Sequence, residues 1–298
     1  MDVRRLKDLV ASKFMLSTTV FSVLLVFVIA FALIQKSTLI LTTHPLNELL
    51  FSSSWYPWEG KFGFLPFIAG TLWVTALAMA LSIPFSLLTS IYLAEYASSK
   101  VRGIIKPMID LLAGIPSVVY GLWGVLVVVP LIRDYVAPLM GVTTTGYTVL
   151  AGGIVLAIMV FPVIISISEE VIRAVPQHVR EASMALGATK WQTVKHAVMR
   201  SAFPGIVAAI MLGFGRAFGE TMAVLMVVGN VVKVPTSLFD PAYPLPALIA
   251  NNYGEMMSIP SYDSALMLAA LFLLLIVLVF SVAAALLLAR IKRGYAIG

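Results

Sequence analysis

Arg216 and Glu220 stand four residues apart in an otherwise apolar run, Gly213-Phe214-Gly215-Arg216-Ala217-Phe218-Gly219-Glu220-Thr221. If a membrane-crossing helix begins at Pro204, a rise of about 1.5 Å per residue puts Arg216 roughly 18 Å along it, near the middle of a hydrocarbon core about 30 Å thick. A charge at that depth costs about 2.5–3.5 kcal/mol even on the lenient insertion scale, so it marks a functional site by default. On one continuous helix the two side chains share a face and neutralise each other. A planar guanidinium is also the side chain best suited to two-pronged recognition of a tetrahedral oxyanion. Glu220 would then offset the charge while no anion is bound, or accept a proton-bearing anion oxygen, and Thr221 is placed beside them. The competing reading is an ion pair that only fixes packing, with Gly215 and Gly219 forming a small face that brings another helix close.

Other chemistries find no support in the residues. The glycine-rich run lacks a preceding strand and a Gly-Lys-Ser/Thr ending, so it is neither a dinucleotide fingerprint nor a P-loop, and any ATP must be bound by another chain. His44, His178 and His196 are scattered through loops, and the chain has no cysteine. No metal-ligand set, Ser-His-Asp set or paired-carboxylate set is assigned, and no residue is read as catalytic. The net charge of +6 falls in loops between apolar segments and reads as membrane topology, not nucleic-acid binding.

The chain that positions this pair is 298 residues long, 60% hydrophobic and only 11% charged, well above the roughly 45–50% apolar content of soluble domains. It reads as an all-α integral membrane protein, one permease-like domain over 1–298. Taking about 17–25 apolar residues per crossing, six helices are expected near 14–35, 66–94, 107–132, 147–168, 204–230 and 264–289. The first follows Arg4, Arg5, Lys7 and Lys13 like a signal peptide, but its apolar run is too long for a cleavable one, so it is expected to stay as a span. Those residues, Lys100, Arg102 and Lys106, five more between 173 and 200, and Arg290, Lys292 and Arg293 all fall on one side. Lys36, Lys61, Arg133 and Lys233 fall on the other. That asymmetry puts both termini in the cytoplasm.

Two outer loops follow from this topology. Residues 36–65 carry Trp55, Tyr56, Pro57 and Trp58, suited to the headgroup level. Residues 231–263 are broken by five prolines, with room for a short helix near 245–257. In the third span, Gly114 and Pro116 predict a kink whose freed backbone groups face protein or water. Asp110, one turn into that helix, is expected to stay hydrated.

The longest polar stretch runs from Arg173 to Pro204, and a cytoplasmic loop is expected over 169–203. Pro176 suits the first turn of a helix, Gly187 suits its left-handed end, and Thr189 with Gln192 has the spacing of a capping box. Two short helices meeting at a glycine elbow are therefore expected on the cytoplasmic side, where Arg173, Arg180, Lys190, Lys195 and Arg200 lie. Glu181-Ala182-Ser183 followed by Gly187 and Pro204 resembles the coupling (EAA) loop of ATP-binding-cassette (ABC) importer permeases, with Ser183 in place of a second alanine.

Further stretches resemble one branch of that family. They are Phe64-Leu65-Pro66-Phe67-Ile68-Ala69-Gly70-Thr71-Leu72, Tyr92-Leu93-Ala94-Glu95-Tyr96, Leu112 through Gly121, Ala185 through Trp191, and Gly215 through Val224. Together they are similar to the permeases of bacterial phosphate-specific (Pst) importers, the C-type subunit more than the A-type. The resemblance implies a type I importer permease fold in the bacterial cytoplasmic membrane. It also implies a heterodimer with an A-type permease, two cytoplasmic ATPase subunits carrying ATP and Mg, and an extracytoplasmic phosphate-binding protein. On this resemblance Glu181, Ala182, Ser183 and Gly187 dock the ATPase, and Arg216, Glu220 and Thr221 lie on the phosphate path. No cofactor is implied on this chain. Other readings are an importer of another oxyanion, a secondary transporter or channel without an ATPase, and a membrane scaffold.

Overall fold

A computed structural model describes residues 3–255 and 258–295 of the chain. The side chains of Arg4, Arg5, Lys292 and Arg293, counted above for topology, lie outside the described residues, as do residues 256 and 257 of the expected outer helix. In chain order the helices are α1 (Val3–Lys36), α2 (Thr38–Thr43), α3 (Leu46–Phe51), α4 (Leu65–Tyr96), α5 (Ser99–Gly114) and α6 (Ser117–Leu139). They continue as α7 (Val149–Arg173), α8 (Gln177–Ala185), α9 (Lys190–Gly219), α10 (Met222–Val227), α11 (Leu245–Asn252) and α12 (Pro260–Tyr295). A two-stranded antiparallel ribbon, β1 (Trp55–Tyr56) and β2 (Lys61–Phe62), sits between α3 and α4. Six of these helices, α1, α4, α6, α7, α9 and α12, are long and apolar enough to cross a membrane.

The centre of the bundle is α4 against α7, with α9 laid across both. Val74, Ala78 and Met79 of α4 meet Leu156, Val160 and Ile164 of α7, and Ala217 of α9 closes the cluster. Small residues set this approach. A Cβ added at Gly213 would lie 2.8 Å from Ile164 Cδ1 and 3.1 Å from Val160 Cγ1. Gly213→Val is therefore expected to destabilise the fold by about 1–3 kcal/mol through overpacking, read as a lower melting temperature of the detergent-solubilised protein. An unchanged melting temperature would show that the helices separate without cost.

At the end of the bundle away from α8, an aromatic cluster ties the segment between α1 and α4 to the last helix. Trp55 lies 4.8 Å from Phe67 and 5.3 Å from Phe64 between ring centroids, in edge-to-face geometry, worth about 0.5–1.5 kcal/mol per pair beyond burial. Trp55 is thus packed against the core, where the sequence suggested a headgroup anchor; Tyr56 and Trp58 remain exposed. Ser264 of α12 accepts the Ile40 N–H at 3.2 Å and donates to the Lys36 carbonyl at 2.9 Å, joining the α1–α2 junction to the last span. Over 14–32 α1 exposes a mainly apolar surface all round, which only lipid or another apolar chain can cover.

Two expected spans differ from the structure. The third is not one helix over 107–132 kinked at Pro116. α5 ends at Gly114, Ile115 is extended (ψ 130°), and Pro116 (φ −60°, ψ 142°) precedes a new helix. Proline disfavours the helical region for the residue before it and brings no N–H of its own, so the chain breaks where a bend was expected. Asp110 accordingly lies on α5, exposed. The fifth span begins at Lys190, not Pro204, and the proline is accommodated inside α9. The second arm of the elbow is therefore the start of a span and not a separate short helix.

Candidate functional site

α9 ends at Gly219. Glu220 leaves it in an extended conformation (φ −74°, ψ 123°), and α10 starts two residues later. Glu220 Oε1 accepts the Ala223 N–H at 3.2 Å, so the carboxylate serves a free donor at the start of α10. The Thr221 hydroxyl turns back to the Gly219 carbonyl at 3.4 Å. This corrects the expected i, i+4 pair: the helix stops before Glu220, and Arg216 forms no salt bridge with it among the described residues. Arg216 is half-buried, and its buried Nε has no hydrogen-bond partner.

The surroundings of the break are asymmetric. One side is packed: Ala209, Gly213 and Ala217 of α9 are buried, and Gly121 of α6 is held against Met226 and Ala223 of α10. Glu220 lines a small cavity with Thr71 and Thr75 of α4 and with Pro244 and Pro246 of the outer loop. The other side is open. Leu212, Gly215 and Gly219 are exposed, and a Cβ added at either glycine would meet nothing within 4 Å. Among the described residues, Gly215, Gly219 and Gly114 pack no helix of this chain, so the small face of Gly215 and Gly219 is left open. The close helix–helix glycine contacts are those of Gly121, Gly124, Gly153, Gly205 and Gly213.

The elbow has the expected local form. Pro176 stands at the N-cap position of α8, one place before the expected first turn. Gly187 has φ +81°, its N–H donates to the Met184 carbonyl at 2.9 Å, and the Ala188 N–H donates to the Ser183 carbonyl at 3.3 Å, the two bonds of a Schellman end. Thr189 and Gln192 form the capping box. α8 has no buried residue. Glu181 and Ala182 face outward, Leu186 is 89% exposed, and the Ser183 and Thr193 hydroxyls meet at 3.0 Å across the elbow.

Beneath the elbow lies an ionic cluster absent from the sequence reading. Glu169, 2% exposed, is surrounded by Lys106 at 3.2 Å, Arg173 at 3.3 Å and Arg102 at 3.8 Å. Burial works to lower the pKa of Lys106, but its hydrogen bonds to Glu169 and Glu170 outweigh it and hold the ammonium above the ordinary lysine value. Glu95 pairs with Arg180 at 2.6 Å. In the sequence Arg180 reads only as a topological charge; the signal for the pair is Glu95, a lone carboxylate between Tyr92 and Tyr96 at the end of an apolar run. Among the described residues no group of three or more His, Asp or Glu could hold a metal.

At the opposite end, Asp240 organises the loop over α7. Its carboxylate accepts from the Thr236 N–H and hydroxyl at 2.9 Å, the Ser237 N–H at 3.0 Å and Lys233 at 3.0 Å. The Asp240 and Leu238 carbonyls accept the Val149 and Leu150 N–H groups at 2.9 Å. The Thr236 N–H first, then Lys233, hold Asp240 well below the usual carboxylate range. A depressed folded-state pKa gives stability that is present above the unfolded value of about 3.9 and lost as pH falls toward the folded one. Amide exchange protection at Thr236 and Ser237 is thus expected to persist down to about pH 4 and decline below it; loss already near pH 6 would contradict this.

The sequence pattern of the family described as "Binding-protein-dependent transport system inner membrane component" matches residues 82–293. The chain is 39% identical over 260 residues to the phosphate transport system permease protein PstC of Xylella fastidiosa (strain 9a5c), covering 83% of this chain and 80% of that one. It is 35% identical over 306 residues to PstC of Mesorhizobium japonicum, covering 95% and 92%. It is 42% identical over 210 residues to the probable ABC transporter permease protein YqgH of Bacillus subtilis (strain 168), covering 70% and 66%. Among solved structures, a bacterial ABC transporter involved in the import of the acidic polysaccharide alginate superposes with TM-score 0.64 at 14% identity, over 96% of this chain and 99% of that one. The inward-facing MetNI methionine ABC transporter gives 0.55 at 19% identity, over 74% and 93%. These two show the fold alone. The chain belongs to the binding-protein-dependent transport system inner membrane component family, as a multi-pass inner-membrane permease subunit of an ABC importer.

Proposed function

We propose that this permease carries inorganic phosphate inward by alternating access, with Arg216 as the group that meets the anion. The observation that supports this is a guanidinium at a helix break, with a buried Nε lacking a partner and an open face beside it. Because Glu220 is engaged at the start of α10 and makes no direct ion pair with Arg216, the guanidinium N–H donors are left for an incoming oxyanion, while the carboxylate offsets the charge only from a distance. Thr221 lies at the same break. Relatives named as phosphate permeases favour phosphate over other tetrahedral oxyanions, which the fork geometry alone would also fit.

In this reading the open face of α9 meets an A-type permease, so that two chains enclose one path. The coupling segment over 169–203 lies in the cytoplasm with both termini. Glu181, Ala182, Ser183 and Gly187 present α8 to one of two ATPase subunits, which bind ATP and Mg, and an extracytoplasmic phosphate-binding protein delivers the anion to the opposite face. A helix as exposed as α8, ending in a fixed left-handed turn, favours an ATPase-driven permease over an autonomous channel. The test is uptake of radiolabelled phosphate by the complex reconstituted in vesicles. Uptake is expected to require ATP and the binding protein, and to be inhibited by arsenate far more than by sulfate. Uptake without ATP, or equal inhibition by sulfate, would overturn the assignment.

A further inference from the structure

We propose that Glu95 and Arg180 form a positioning clamp that roots α8 on the bundle and delivers its movement to α4 and α7. The inference rests on reading the chain as an ATPase-driven permease. α8 has no fully buried side chain of its own; the partly buried Val179 and the Ser183–Thr193 hydroxyl pair are its other anchors. Arg180 is the charged group of α8 that turns inward, at 14% exposure against 7% for Glu95.

The contact is directional at both ends. Arg180 Nη2 lies 2.6 Å and Nε 3.1 Å from Glu95 Oε1, with Glu95 in the final wide turn of α4. The same guanidinium donates to the Ile172 carbonyl at 3.0 Å and to the Val175 carbonyl, at the C-terminal end of α7, where free carbonyls and the helix dipole favour a cation. One planar group therefore joins three elements, and only arginine supplies donors in that fork.

The end of α4 is held from two more sides. Arg102 of α5 donates to the Leu93 carbonyl at 2.8 Å, and Lys190, at the start of α9, lies 4.6 Å from the centroid of the Tyr96 ring. A push on α8 thus reaches the ends of α4 and α7, the central pair of the bundle, before any of its exposed residues could transmit it. A largely buried ion pair suits this role because losing either partner leaves an uncompensated charge, so it resists sliding.

The experiment uses the complete complex in nanodiscs for hydrogen exchange and in vesicles for transport. Glu95→Gln is expected to lower phosphate taken up per ATP hydrolysed about tenfold, within the range by which single residues alter coupling between sites. It is also expected to speed amide exchange over 177–185 without changing it over 149–165. Equal losses of hydrolysis and uptake, leaving the ratio unchanged, would mean a merely structural pair and overturn the clamp. Should Glu95→Gln fail to assemble, the double variant Glu95→Gln/Arg180→Gln removes both charges together. It is expected to assemble and stay uncoupled, and a wild-type ratio in the double variant, or its failure to assemble, overturns the proposal. If the wild-type complex shows no ATP-dependent uptake, the functional reading falls instead, and the exchange rates over 177–185 alone decide for or against the clamp.

Discussion

Replacing Arg216 by lysine is expected to cut ATP-driven phosphate uptake by about tenfold or more, with the complex still assembled. Hydrogen bonds to charged groups contribute roughly 1.5–3 kcal/mol, and lysine keeps the charge while losing the planar fork that makes two of them at once. Assembly is expected to survive because, among the described residues, Arg216 forms no ion pair and its Nε has no partner to lose. Glu220→Gln makes a useful contrast. An amide oxygen still accepts the Ala223 N–H now received by Glu220 Oε1, so the start of α10 is preserved while the negative charge goes. With less to offset Arg216, the anion is held longer, and the maximal rate is expected to fall while apparent affinity does not. Wild-type uptake by Arg216→Lys would remove this residue from the path, whatever Glu220 does.

What could be read from the chain, and what could not, follows the distance over which each feature is decided. The spans and the elbow are local matters. Apolar length sets the first, and Gly187, Thr189 and Gln192 set the second within a single turn. The breaks were harder, although signals were present. Ile115 precedes a proline, and Gly219 followed by a carboxylate three residues before Ala223 is the pattern of one helix ending and another being capped. Apolar periodicity across both junctions outweighed those signals, which is why Arg216 and Glu220 were placed on one face. α5 also carried a helical stripe of Ile104, Met108, Leu111 and Leu112, now exposed, that marks it off from the membrane run after Pro116. The Glu95–Arg180 pair and the contacts of Lys106 and Arg102 with Glu169 join residues 63 to 85 positions apart, while Arg173, on the same helix face as Glu169, is the local member of that ring. No periodicity reports such a pairing; the packing of α4 against α7 creates it.

The elbow offers a substitution whose effect is confined to the backbone. Gly187 has φ +81°, yet a Cβ there would meet nothing within 4 Å, so Gly187→Val introduces no clash with any neighbour. Its cost is conformational, about 1–2 kcal/mol for a left-handed residue with a side chain and more when that side chain is β-branched. The bundle does not have to absorb that cost. The last turn of α8 is mostly exposed, beyond the Arg180 anchor, so the strain is relieved by opening the Schellman turn and displacing that turn from the start of α9. Membrane insertion and melting temperature are therefore expected to stay at wild-type values, while co-purification of the ATPase falls roughly five- to thirtyfold, the equivalent of 1–2 kcal/mol. Gly187→Asn is the control, since asparagine tolerates the left-handed region, and it is expected to recover most of the binding. If both variants retain the ATPase equally well, the shape of the turn is irrelevant to docking. If both lose it equally, the position contacts the ATPase through space that any side chain would fill.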